Sequence, residues 1–299
     1  MSLIKCEQLS KSYGSKQALN KVTIELKAGS PIALVGPNGA GKTTLFSLLC
    51  GYLLPSSGSV TIMGEKPGSA NLLGKVSSLP QDATLDPNLN LISQFILFGT
   101  LQGLSAKAAK DEGMRVLTLV GLSDVSEQKP QSLSHGMSKR ASIAQALIGS
   151  PQLVLLDEPT AGLDPANAKV VRDLVKSLSG IITFVISSHN LDELEKLCDQ
   201  VIYLDQGKLG RSVSIQENLI DEYITVSMQT CDITQFIDEI SALNGVNSVT
   251  QKQENEFLIH YSADDVINLE IQLFQLFSHN DWRYRAILKG RSLEDKLFS

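Results

Sequence analysis

No stretch of this chain is apolar for long enough to cross a bilayer. The most hydrophobic window, Leu91 to Leu101, is short and carries polar interruptions, whereas a spanning helix needs roughly 20 apolar residues. A basic, apolar and small-residue leader is also missing from the start, so a secretory signal peptide is not expected. Cysteine is scarce: Cys6, Cys50, Cys198 and Cys231 stand far apart, with no C-x-x-C pair. That spacing argues against a disulfide framework and suits a reducing compartment, with the thiols acting as small buried hydrophobes. Net positive charge is lacking too. A formal net charge of −6 gives no global pull towards nucleic acid or anionic lipid, and no nucleic-acid partner is expected. There is no internal repeat and no low-complexity segment.

What is present is an ordinary globular balance, 42% hydrophobic and 19% charged over 299 residues, enough for two domains with cores of their own. Pro31 to Val35 is a short apolar run ending in glycine, as a buried parallel strand looks. Leu153 to Leu156 and Ile182 to Ser187 are two more. Helical patterns lie between them, at Lys42 to Cys50, Ala166 to Leu178 and Leu191 to Leu197. Strands alternating with helices imply an α/β fold with a parallel sheet covered on both faces. Ile4 to Leu9 and Lys21 to Leu26 read as antiparallel strands, rejoined by Gly58 to Met63. From about Leu91 to Ile148 the pattern turns helical, as an insertion would.

Two motifs carry phosphate chemistry. Gly36-Pro37-Asn38-Gly39-Ala40-Gly41-Lys42-Thr43 fits G-x-x-x-x-G-K-[ST] at every fixed position, between a strand and a helix, and Thr44 continues into that helix. Glycines let backbone N–H groups converge on phosphates, and the helix start adds the positive end of its dipole. Lys42 supplies a mobile charge for the outer phosphates and the Thr43 hydroxyl a ligand for Mg²⁺. The second motif is an apolar strand ending in Asp157-Glu158-Pro159. Asp157 is expected to hold Mg²⁺ through water, opposite Thr43, and Glu158 to polarise an attacking water as general base.

Further motifs narrow the kind of ATPase. Leu133-Ser134-His135-Gly136-Met137 opens a helix about twenty residues before the acidic strand, Ala161-Gly162-Leu163-Asp164 follows that strand, and His189 follows the next. With Gln81 after Leu79-Pro80 and Tyr13 in Lys11-Ser12-Tyr13-Gly14, these stand in the order seen in ABC-transporter ATPases. The resemblance covers about residues 3 to 210. It implies that Tyr13 stacks on adenine, that Gln81 approaches Mg²⁺ and the attacking water while sensing a membrane partner, and that His189 contacts the γ-phosphate. Asp164 would reach across a dimer, with capping of the helix after Pro165 as its other reading. Ser134 and Gly136 match the signature motif that binds the ATP held by the opposite subunit. His135 and Met137 depart from the usual L-S-G-G-Q, and the sequence does not decide what they do.

One set of motifs cannot close a site by itself, so the resemblance implies a homodimer or heterodimer of cassettes around two ATP molecules. It further implies a separate integral membrane permease as partner and a cytoplasmic chain, peripheral on the inner face of the membrane. Residues 1–212 form the expected cassette: parallel core sheet, antiparallel β subdomain and helical insertion. Residues 213–299 form the accessory domain. Its pattern is β-α-β-β-α-β, with strands at Tyr223 to Met228, Val246 to Val249, Phe257 to Tyr261 and Trp282 to Ala286, which is the ferredoxin-like α+β arrangement. This unit resembles the small domain appended to cassettes of bacterial multidrug, antibiotic and polymer exporters, and Arg291 to Phe298 looks like their S-L-E-D-x-F close. ATP hydrolysis coupled to export is the leading expectation. An importer cassette and a non-transport ABC ATPase stay open as alternatives, although the latter generally carries fused cassettes or a long coiled-coil insertion.

Overall fold

The computed structural model describes residues 2–214, 222–262, 266–291, 295 and 297. The chain divides into two compact units, Met1–Val213 and Ser214–Ser299.

In the first unit β1 (Ser2–Tyr13) and β2 (Lys16–Lys27) form an antiparallel hairpin. Both strands run past the apolar segments that announce them. After β3 (Ile32–Val35) and α1 (Lys42–Leu49), β4 (Ser57–Ile62) pairs antiparallel with the other side of β1. A second sheet adds β5 (Val76–Leu79), β6 (Leu153–Asp157), β7 (Thr183–Ser187), β8 (Gln200–Asp205) and β9 (Lys208–Ser214), in the order β5-β6-β7-β3-β8-β9. The pairs β5–β6, β6–β7, β7–β3 and β3–β8 are parallel. Every residue of β3, β6 and β7 is buried, which is why these strands read as unbroken apolar runs.

Between β5 and β6 come α2 (Leu91–Leu101), α3 (Ala106–Leu119) and α4 (His135–Ala146), the helical insertion. α5 (Pro165–Leu178) and α6 (Leu191–Leu197) connect the later strands. Side-chain oxygens of Asn90, Ser105, Ser134, Asp164 and Asn190 cap these five helices, each answering orphan N–H groups of a first turn. Among the described residues no helix is long and apolar enough to cross a membrane.

The second unit runs β10 (Tyr223–Thr230), α7 (Ile233–Ser241), β11 (Val246–Gln253), β12 (Glu256–Tyr261), α8 (Val266–His279) and β13 (Arg283–Lys289). Its sheet has the order β11-β12-β10-β13 with antiparallel pairs throughout, the ferredoxin-like topology. Phe236 centres its core, with ring centroids 4.2 Å from Phe257, 5.3 Å from Trp282 and 6.0 Å from Phe277. Most of the S-L-E-D close lies outside the described residues. Of the part described, Asp295 pairs with Lys252 at 2.5 Å and Leu297 is buried.

Candidate functional site

β3 delivers the chain into Gly36 at φ +155°, where a Cβ would stand 2.0 Å from the Leu204 carbonyl oxygen of β8. At Gly41, φ +107°, a Cβ would stand 2.6 Å from the Ala18 carbonyl. Only glycine passes either point. Gly41 is also the residue before α1 and offers no side-chain cap, so the first N–H groups of the helix have no partner within it. The Lys42 ammonium folds back over the loop and donates to the carbonyls of Gly36 (2.6 Å) and Pro37 (3.2 Å).

This loop forms one wall of a cleft of about 400 Å³, lined by Asn38 to Thr44, Tyr13, Lys16, Ala18, Gln81, Asp157 and Glu158. Tyr13 and Gln81 are exposed there, whereas Asp157 and Glu158 are only 6% and 9% exposed. The sheet explains how a pair of carboxylates is held so deep. Asp157 stands opposite Ser187 in the β6–β7 register, and the Ser187 hydroxyl donates to Asp157 Oδ1. The Glu158 N–H donates to the Ser187 carbonyl at 3.1 Å. Glu158 then turns into the left-handed region at φ +50°, a conformation that costs about 1–2 kcal/mol for a residue with a side chain.

His189 closes the arrangement. Its Nδ1 lies 3.0 Å from Glu158 Oε2, pairing an exposed ring with a mostly buried carboxylate. A second tie lies alongside: the Thr160 hydroxyl, in the loop after β6, donates to Glu193 Oε2 of α6 at 2.5 Å, and Arg172 of α5 reaches Glu193 Oε1 at 3.1 Å. A carboxylate with a polar partner, beside a second carboxylate and a loop of backbone donors, can activate water next to a bound polyphosphate.

Ser134, Gly136 and Asp164 do not line this cleft. The Ser134 Oγ accepts from the Met137 N–H at 3.2 Å and caps α4. Asp164 caps α5, accepting from the N–H groups of Ala166 (3.0 Å) and Asn167 (2.9 Å). These bonds, with one from the Asn167 amide, hold its carboxyl below the usual carboxylate range. His135 is exposed beside Gly162.

Several residues that sequence reading passed over also belong here. Lys139, one turn into α4 from Gly136, approaches the Gln81 carbonyl at 3.5 Å. Burial pulls its ammonium below the ordinary lysine range, against the opposing pull of Asp157, Asp82 and Glu158. Its spacing of three from Gly136 is the one signal in the sequence. Ser187, Thr160 and Glu193 sit beside quoted motif residues, but their pairing depends on the register of β6 and β7.

Residues 19–161 match the ABC transporter family model. The chain is 33% identical over 268 residues to the linearmycin resistance ATP-binding protein LnrL of Bacillus subtilis, covering 87% of this chain and 86% of that one. It is 37% identical over 212 residues to the bacitracin transport ATP-binding protein BcrA of Bacillus licheniformis, covering 70% and 68%. Among solved structures it is similar to the dimeric post-hydrolysis state of the ATP-binding cassette MJ0796 bound to ADP and Pi, with a TM-score of 0.64 and 26% identity over 71% of this chain and 99% of that one. Phosphate loop, paired carboxylates, fold and relatives agree: this chain belongs to the ATP-hydrolysing, ATP-binding subunits of the ABC-transporter family.

Proposed function

We propose that the chain is the motor of an exporter, working as a pair of cassettes on the cytoplasmic face of a separate integral membrane permease. The named activities of its relatives support export, since they include linearmycin resistance, lantibiotic transport, bacitracin transport and Nod factor export. Each is a resistance or transport system built around an ATP-binding protein. In this reading the second unit, residues 213–299, is an accessory domain carried by the motor.

The observation that carries the catalytic reading is the Glu158–His189 pair, in which Glu158 lines the phosphate cleft and His189 bonds to it. Tyr13 supports the adenine. The loop Gly36 to Thr43, with Thr44 behind it, presents its N–H groups to the phosphates, and Lys42 leaves the Gly36 and Pro37 carbonyls for the outer ones. Among the described residues no three His, Cys, Asp or Glu side chains converge on a metal position. The oxygens of Thr43, Gln81 and Asp157 at the cleft suit Mg²⁺, a hard cation that takes its remaining ligands from water and phosphate. When bound, it neutralises charge on the transferred phosphoryl group. Glu158 accepts a proton from water while His189 orients the γ-phosphate. Ser134, Gly136 and Asp164 serve the nucleotide of the opposing cassette.

The direction of transport is tested in cells that make this chain with its co-purifying permease. Cells carrying Lys42→Ala should accumulate the permease's substrate if the motor drives export. Loss of substrate uptake in those cells would reverse the assignment.

A further inference from the structure

Gly136 lies buried in the first turn of α4, facing a side chain from a distant element. A Cβ built there would stand 2.5 Å from Cγ and Nδ2 of Asn167, and 2.7 Å from its Oδ1. The same Asn167 amide donates from Nδ2 to Asp164 Oδ2 at 2.7 Å. One planar amide is therefore wedged between the signature turn and the Asp164 carboxylate. A second approach lies alongside: a Cβ at Gly162 would stand 3.3 Å from Nε2 of His135. The two loops meet at two points within one chain.

Capping does not require this amide. Backbone N–H groups of Ala166 and Asn167 already supply Asp164 Oδ1, which is the ordinary complement of an N-cap. What the Asn167 side chain adds is a fixed second oxygen and a bearing against Gly136. The contact is side chain against helix backbone, so a methyl at position 136 would not break the fold. It would push the amide off the carboxylate.

We infer that Asn167 is a positioning residue that gears the turn Ser134–Gly136 to Asp164, so that both elements move as one body when cassettes close. This rests on the reading of those three residues as groups that serve the opposing nucleotide. It gives the missing side chain at Gly136 a reason inside its own chain, apart from any close approach of nucleotide.

A double-mutant cycle on the full chain tests the coupling. Gly136→Ala and Asn167→Ala should each lower kcat by about fivefold, the scale of one hydrogen bond, with ATP affinity of the unpaired chain unchanged because its own cleft is untouched. The double variant should be no slower than Gly136→Ala alone, since the methyl then has nothing to displace. Asn167→Asp keeps the shape but sets a second carboxylate against Asp164, and should be slower than Asn167→Ala, a difference that mere space-filling would not produce. Effects that multiply to about 25-fold in the double variant, or full turnover in Asn167→Ala, would overturn the inference. Melting curves check folding, with Asn167→Ser as the substitute if the alanine variant does not fold. Failure of the underlying reading shows separately, as a Glu158→Gln chain that binds ATP without pairing.

Discussion

Nδ1 of His189 faces Oε2 of Glu158 at 3.0 Å, which leaves Nε2 as the ring nitrogen available to a phosphate oxygen. The buried carboxylate is thus oriented by a neighbour from the turn after β7, and Lys42 is engaged elsewhere, with the loop carbonyls.

Glu158→Gln keeps the size of the side chain and removes its basicity. ATP hydrolysis should fall by a factor on the order of 10² or more, while Mg-ATP binding persists through Lys42, Thr43 and Asp157. With ATP no longer consumed, sizing chromatography should show a dimer with Mg-ATP and a monomer without it. Adding Ser134→Arg should abolish that dimer and leave binding to the monomer intact. Undiminished turnover in Glu158→Gln would remove the residue from catalysis.

Lys42→Ala removes the cation of the phosphate loop. Turnover should drop by about two orders of magnitude or more, with weakened nucleotide binding in a titration. The glycines that shape the loop are unchanged, so the melting temperature without nucleotide should stay close to that of the parent chain. Near-normal activity would mean that the loop does not hold the outer phosphates.

Acid should weaken the helical insertion through Glu112. Arg115 holds this carboxylate by two bonds of 2.6 and 2.7 Å, and the Gly149 N–H adds one of 2.8 Å. The Arg115 bonds are the main reason that its pKa lies below the usual glutamate range. A depressed folded pKa stabilises the protein above the unfolded value of about 4.3, and that contribution is lost as pH falls through the folded pKa. Glu112→Gln should lower the melting temperature at neutral pH by about 2–4 °C, with the gap closing below about pH 4. A gap that is constant with pH would show that the ionised form contributes nothing.

The first unit should stand alone. It has its own core, with Leu9, Leu19, Leu34, Leu48, Leu155 and Leu204 buried, and every residue of the nucleotide cleft lies within it. A chain stopped after Ser214 should fold and bind Mg-ATP with unchanged affinity. Aggregation or lost binding would mean that the two units depend on one another.

What could be read in advance follows from how locally each feature is encoded. β3, β6 and β7 are buried on both faces, so composition alone marks them, and the phosphate loop is a contiguous string. The order of the second unit was readable from its alternating residues. β5 escaped notice because Ser77 and Ser78 interrupt it and Leu79 is its one buried residue. β8 and β9 were missed as well. β8 carries an apolar run of four, Val201 to Leu204, as long as that of β6, but it is closed in by the polar Gln200 and Asp205 and buries only half of its six residues fully. Asp164 announced itself as a cap through the proline that follows. The Asn167 contact with Gly136 joins positions 31 residues apart, and Lys139 meets the Gln81 loop across 58. No periodicity links such pairs; only the packed structure brings them together.

The strand order has a mechanical consequence. β6, β7 and β3 are each gripped from both sides, whereas β5, at the end of the order, is zipped to β6 alone over four residues. Peeling it away breaks one ladder, where loosening any inner strand breaks two, and amide protons of β5 should exchange sooner than those of β6. The strand that leads to Gln81 is therefore the compliant margin of an otherwise stiff plate. A tug at that margin can shift Gln81 against Lys139 while Asp157, two strands from the phosphate loop, stays in register with Ser187.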